Sequence, residues 1–186
     1  MHVLVTRRLT LRPPLEVDLE AIAQAIGDLD VSRWLGTVPH PYTLDDARHW
    51  YENMERGPDD HRFVLHDAQG LAGVVALRMH PNPPHDEVGS PELGYWLARD
   101  RWGRGLMSEA LRATLEDHFK RGGGDVVSGA QVDNAASLAI QRKMGFKEGE
   151  RIERPSQARG HAVTIQRTRL TRGAFERHLG GARAAA

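Results

Sequence analysis

The chain has 186 residues, enough for one domain with a substantial core. Lys plus Arg and Asp plus Glu number 25 each, so no net field draws the protein to nucleic acid or to an anionic membrane. Cysteine is absent, which removes disulfides, thiolate metal sites and a cysteine nucleophile.

The N-terminal stretch MHVLVTRRLTLRPP has no apolar run of signal-peptide length, and no segment approaches a membrane span; a soluble cytoplasmic protein is expected. In chain order, Leu9 to Leu11 reads as a first strand, closed by Arg12-Pro13-Pro14. Asp18 is placed to cap a helix with Leu19, Ile22, Ile26 and Leu29 along one face. Val31 to Leu35 reads as a short helical piece before the Pro-broken loop Val38 to Pro41. Thr43 or Asp45 starts another helix, with Ala47, Trp50, Tyr51 and Met54 on one side, stopping at Gly57-Pro58.

Strands follow. Phe63 to Leu65 runs to a turn at Ala68-Gln69-Gly70, and Leu71 to Met79 returns as its hairpin partner. His80 to Ser90 is irregular, with three prolines. Leu93 to Leu97 is a strand and Arg104 to Arg121 a long helix, with Leu106, Ala110, Leu111, Leu115, His118 and Phe119 inward, ended by Gly122-Gly123-Gly124. Val126 to Val132 is strand, Ala135 to Met144 helix, and Phe146 to Glu153 and Val163 to Leu170 strands. The expectation is one α/β domain of the α+β type over 1–179, with a flexible tail at 180–186. Its central sheet is mixed, with helices on both faces.

The stretch with most chemical content is Trp102-Gly103-Arg104-Gly105-Leu106-Met107, between a strand and a long helix. Two glycines there allow a tight turn and close approach of backbone to a ligand. The helix N-terminus beyond offers unpaired N–H groups and partial positive charge, which favour a phosphate or pyrophosphate, and Arg104 can add a full charge. A ligand-free tight turn fits the spacing equally well. A P-loop is ruled out because Gly-x4-Gly-Lys-Ser/Thr is missing, and a dinucleotide fingerprint because Ser108 stands where its third glycine would be.

These residues resemble the pyrophosphate loop of the GCN5-related N-acetyltransferase (GNAT) superfamily, Arg/Gln-x-x-Gly-x-Gly/Ala, laid over Trp102 to Met107. Gly105 matches, while Trp102 and Met107 depart at the first and last positions. Trp-Gly-x-Gly is similar to the RimJ/RimL-like branch, the ribosomal-protein N-terminal acetyltransferases. Five further segments agree in order: Thr6 to Arg12, Pro39 to Thr43, Glu92 to Leu97, Asn134 to Ser137 and Lys143 to Phe146. The resemblance spans about Thr6 to Leu170.

It implies a GNAT-like fold, mostly antiparallel, with acetyl-CoA as co-substrate and direct attack of a neutral amine on the thioester. Three services are then needed: a proton acceptor, oxyanion donors and an acid for the thiolate. By resemblance, backbone N–H groups of Tyr95, Trp96 and Leu97 serve the oxyanion and pantetheine. Trp102, Gly103, Arg104, Gly105, Leu106 and Met107 cradle the pyrophosphate, and Asn134 holds the pantetheine arm. Ser137 approaches the sulfur, as no tyrosine follows in that helix. Strand alternation puts Glu92 on one face with Gly94 and Trp96, where partial burial would raise its pKa and suit it as a base; a solvent-facing carboxylate is the plain alternative. Asn134 and Ser137 also fit simple N-capping.

His80 and His85, with Asp86 and Glu87, lack ligand spacing, so no metal is expected. His40 and His49 lie in the region that forms the acceptor side of such enzymes. Arg151, Arg154, Arg159, Arg167, Arg169 and Arg172 read as a solvated strand face. The implied partner is an amine acceptor, either a protein N-terminus, nominally a ribosomal-protein α-amine, or a small-molecule amine, with no nucleic acid or membrane; relatives of this kind are often homodimers. A non-catalytic acyl-CoA-binding module, or a transferase of longer acyl groups, are the alternatives.

Overall fold

Strands β3 (His61–Asp67) and β4 (Gly70–Arg78) form the hairpin on which the sheet is built. The computed structural model describes residues 2–54, 61–79 and 89–184. The expected helix stop at Gly57-Pro58 and the histidines at 80 and 85 lie outside them.

Alternation along β3 sends Phe63 and Leu65 to one face and Val64 to the other, all buried, so helices must cover both sides. Antiparallel pairing extends outward through β2 (Thr10–Arg12) to β1 (Leu4–Val5), a two-residue strand too short to read from sequence. On the other side, β5 (Glu92–Leu97) pairs antiparallel with β4. Then come β6 (Val126–Gln131), β8 (His161–Leu170) and β7 (Lys147–Ser156), giving the order β1-β2-β3-β4-β5-β6-β8-β7. Among the described residues only β5–β6 is parallel; the sheet is mixed and mostly antiparallel, as expected.

One face carries α4 (Leu106–Lys120) and α5 (Ala135–Met144). All six inward residues expected for α4 are buried, joined by Met107 and Thr114. Leu111 and Leu115 meet Leu65, Val75 and Leu93 in the larger core, at about 1.5–3 kcal/mol per buried side chain. The opposite face carries α1 (Leu19–Ile26), α2 (Leu29–Ser32) and α3 (Leu44–Glu52), closing over Val64, Val74 and Trp96. Thr43 caps α3 by accepting from the Asp46 N–H, and Asp46 answers to the Thr43 N–H.

Two local readings change. Asp18 does not cap α1 with its side chain. Its carboxylate instead accepts a two-point contact from Arg12 at 2.7 Å and the Leu15 N–H, because Arg12 on β2 outcompetes a helix end for it. Leu29 leaves the α1 face: the helix ends at Gly27, and Leu29 opens α2 with 46% exposure. A final helix, α6 (Arg172–Ala184), follows β8 where sequence reading assigned none, docking Phe175 into the larger core.

Candidate active site

The site begins with a gap in the sheet. β5 pairs with β4 at six positions but with β6 only at Glu92↔Val127. On the β6 side, the Pro91 carbonyl is taken by the Val127 N–H at 3.0 Å and the Leu93 carbonyl by the Ser128 hydroxyl at 2.8 Å. The Leu97 carbonyl accepts from the Trp102 indole at 2.9 Å. Because backbone groups alternate along a strand, Tyr95 and Leu97 direct their N–H groups into this slot. Trp96 does not: its carbonyl faces Gly73 on β4, so its backbone belongs to the ladder and it is withdrawn from the expected donor trio. Its side chain packs on the α1–α3 side.

Past β5 the chain turns through Trp102 to Gly105 into α4. Gly103 and Gly105 both sit at φ +72°, a conformation that L side chains rarely adopt, so glycine is required here by geometry. The first N–H groups of α4 follow directly on this turn, and no side chain caps them. Leu106 and Met107 point their side chains into the core, at 4% exposure each, leaving only their backbone for a ligand. Arg104 reaches Gln69 at 3.2 Å, away from the helix end. Trp102 is 42% exposed and ties the loop back to β5.

Sequence reasoning missed what braces this loop. Arg101 is buried and donates to Asp67 at 2.8 Å, joining the loop to the β3–β4 turn. Arg8 donates to Glu109 at 2.7 Å and to the Arg104 carbonyl at 2.7 Å, joining it to the β1–β2 turn. Burial alone would push the Glu109 carboxyl up, but contacts from Thr6 and Arg8 hold it below the usual range. The bracing residues lie far apart in sequence, so no spacing could reveal them.

Across the slot, Asn134 accepts the Ser137 N–H at 3.1 Å, the capping role weighed from sequence. Ser137 faces Tyr95: the two hydroxyls are 2.8 Å apart. Gln141, one turn further along α5 and 1% exposed, reaches Tyr95 at 3.2 Å. Its spacing from Ser137, i to i+4, was a readable sign that the two share a helix face. Burial pushes the Tyr95 phenol up, and its contacts with Ser137 and Gln141 offset part of that rise.

Glu92 lies on the opposite face of β5, toward α1–α3, as alternation required. It is 37% exposed and meets Arg78, its cross-strand partner, at 3.3 Å. The expected partial burial is therefore observed. Between Glu92 and Trp96, a Cβ on Gly94 would meet no atom within 4 Å, so there is open space beside the carboxylate. In the connection between α2 and α3, the guanidinium groups of Arg33 and Arg159 lie 4.6 and 4.8 Å from the centre of the Trp34 ring. Arg159 also binds Asp133 at 3.0 Å, so part of the C-terminal arginine set is engaged rather than solvated. His40 is exposed and His49 contacts Asn53 at 3.2 Å.

A splayed parallel strand pair beside a glycine-turned helix N-terminus defines a class: proteins that thread a pantetheine-type chain through a sheet and hold its diphosphate at a helix end. The chain belongs to the acetyltransferase (GNAT) domain family, whose model matches residues 8–147. It is thereby an acyltransferase of the acetyl-CoA-dependent kind. Among curated relatives, the uncharacterized N-acetyltransferase p20 of Bacillus licheniformis is 22% identical over 89% of this chain and 93% of its own. Among solved structures, the ribosomal alpha-N-protein acetyltransferase RimL in complex with coenzyme A superposes with a TM-score of 0.76. It is 21% identical, over 93% of this chain and 99% of that one. Spermidine N-acetyltransferase from Vibrio cholerae, in complex with CoA and spermine, gives 0.75 at 21% identity, over 91% and 99%.

Proposed function

We propose that this chain is an N-acetyltransferase that moves the acetyl group of acetyl-CoA directly onto an amine, with the α-amine of a protein N-terminus as the acceptor class. The carrying observation is the slot between β5 and β6, which pair at one position only, with the uncapped N-terminus of α4 following β5 through a glycine turn. Pantetheine lies along the free edge of β5, within reach of Asn134, and the pyrophosphate takes the first N–H groups of α4 beyond Gly105. The thioester then sits between Ser137 on one face and Glu92 on the other.

The amine approaches from the α1–α3 side, through the space beside Gly94. Its lone pair forms the C–N bond while the carbonyl π pair moves to oxygen, received by the Tyr95 and Leu97 N–H groups. Collapse breaks the C–S bond and leaves the electron pair on sulfur, which accepts a hydrogen bond from Ser137. The extra amine proton passes to Glu92, directly or through a water. A lysine amine costs about 4–5 kcal/mol to neutralise at pH 7, an α-amine only about 1. A partly exposed carboxylate already paired with Arg78 suits the second acceptor better, and RimL is an alpha-N-protein acetyltransferase.

The experiment is calorimetric titration of acetyl-CoA, followed by thiol release with a panel of free-N-terminus peptides, Nα-blocked lysine peptides and polyamines. Saturable binding with turnover on the α-amine peptides is expected. Binding without turnover on any amine would convert the reading to a CoA-binding module, and no binding would end it.

A further inference from the structure

The polar cluster under Ser137 has a direction, and it can be read from the acceptors around Gln141. One end of the Gln141 amide lies 3.4 Å from the Gly129 carbonyl and 3.3 Å from the Ser128 hydroxyl. The Ser128 proton is already given to the Leu93 carbonyl at 2.8 Å, so both neighbours are acceptors. That end must therefore be the NH2. The other end, the amide oxygen, receives the Thr168 hydroxyl at 2.7 Å. With its NH2 also 3.2 Å from the Tyr95 oxygen and 3.5 Å from Ser137 Oγ, Gln141 donates to the phenol, whose one proton goes to an acceptor on Ser137. The nearest acceptor is the Ser137 hydroxyl at 2.8 Å; the Ser137 carbonyl, at 3.3 Å, is the longer alternative.

From this chain we propose that Tyr95 is a positioning residue: by donating to Ser137 Oγ it turns the serine proton outward, toward the thiol sulfur of bound CoA. The inference rests on the acetyl-CoA reading above. Thr168, Gln141, Tyr95 and Ser137 then form a line of donors with one polarity, each proton pointing to the next oxygen and the last at the slot. The line suits a serine, which is a poor acid when unaided but a sound donor once its oxygen is already occupied by another proton. The net upward displacement of the phenol keeps its proton in place throughout neutral pH. Sequence alone placed Tyr95 here for its backbone; its hydroxyl is the added function.

The test uses the full chain and CoA itself, so no acceptor need be known. The thiolate absorbance of bound CoA is titrated with pH in wild type, Tyr95→Phe, Ser137→Ala and the double variant. CoA affinity is measured by calorimetry and fold by melting. In wild type the bound thiol should ionise below its value in free CoA. Ser137→Ala should cost the thiolate about 10-fold or more and Tyr95→Phe about 3- to 10-fold, since an oriented hydrogen bond to a charge is lost or loosened. CoA affinity should stay within about 2-fold. The Tyr95→Phe effect should vanish in the Ser137→Ala background. Gln141→Met, which removes the donor to the phenol, should shift the thiol in the same direction and serves if Tyr95→Phe is poorly folded. An unchanged thiol in Tyr95→Phe, or an equal shift with and without Ser137, overturns the proposal while leaving the acetyl-CoA reading intact. Failure of the wild type to bind CoA overturns both.

Discussion

If the pyrophosphate docks at the α4 N-terminus, charge at position 105 should matter beyond any strain there. Gly105 sits at φ +72°, so replacement by Gln or Glu costs about 1–2 kcal/mol of backbone strain in either case. No clash is added, since a Cβ would meet only Arg8 Nη2 at 3.6 Å. For a chain of this size both variants should melt about 2–8 °C below wild type. They differ in charge alone. A carboxylate about 5 Å from a doubly charged diphosphate is repelled by about 1.7 kcal/mol at the dielectric of water, and by about four times that at an effective value near 20. Arg8 cannot cancel this charge, because Glu109 and the Arg104 carbonyl already engage it. The ratio of acetyl-CoA dissociation constants, Gly105→Glu over Gly105→Gln, should thus be about 15 or more at low salt. It should shrink toward unity near 1 M salt, where the screening length falls to about 3 Å. Calorimetry on both variants at two salt concentrations measures it. Equal affinities at low salt would place the diphosphate elsewhere and remove the loop from the site.

Three further outcomes are expected. A Cβ at position 73 would stand 2.2 Å from the Trp96 carbonyl oxygen, so Gly73→Ala must force β4 and β5 apart; a loss of at least about 1–3 kcal/mol in urea melts is expected, and an unchanged midpoint would contradict the strand spacing. Burial would raise the Asp18 carboxyl, but Arg12 and the Leu15 N–H hold it below its usual range. Its contribution is thus complete above the unfolded value of about 3.9 and lost as pH falls through the folded one. Asp18→Asn should cost about 3 kcal/mol at pH 7 and progressively less below pH 4, and a gap that stays constant with pH would refute this. Glu92→Gln should lower kcat about 100-fold or more on lysine-type amines and less on α-amines, read from the peptide panel; an equal loss on both would make Glu92 only the partner of Arg78.

The sheet and its helices were legible because their signals are local. The apolar spacing of α4, the Ala68-Gln69-Gly70 turn and the Asn134 context of α5 each lie within one window of sequence. The glycine pair was legible as a turn, but its left-handed geometry and the bracing by Arg8, Arg101 and Asp67 depend on contacts across the fold. Glu92 was placed on the correct face by alternation, whereas its pairing with Arg78 depends on the register across the intervening loop. Helix α6 escaped because Gly180 and Gly181 interrupt its pattern; a single aromatic, Phe175, anchors its start. The Tyr95 network escaped for a different reason. Buried Gln, Ser and Thr carry no periodic signature, and their meaning lies in which proton faces which oxygen.

The backbone of the slot is a consequence of topology rather than of any side chain. β5 is held by six pairs on its β4 side, and β6 by six on its β8 side, so two half-sheets meet at one parallel bridge between Glu92 and Val127. Beyond that bridge the strands diverge, and the backbone donors of β5 face a gap that the fold itself does not fill. An oxyanion site built from such donors cannot be removed by truncating the side chains of Tyr95 or Leu97, provided β5 stays in register with β4. The spacing depends instead on Gly73, which allows the two strands their close approach, and the turn into α4 on Gly103 and Gly105. The α1–α3 side of the sheet carries several connections, among them the α2–α3 segment around Trp34, which Arg33 and Arg159 contact. Such segments can change without disturbing the bridge, so acceptor choice can vary on this fold while the acyl-transfer geometry stays in place.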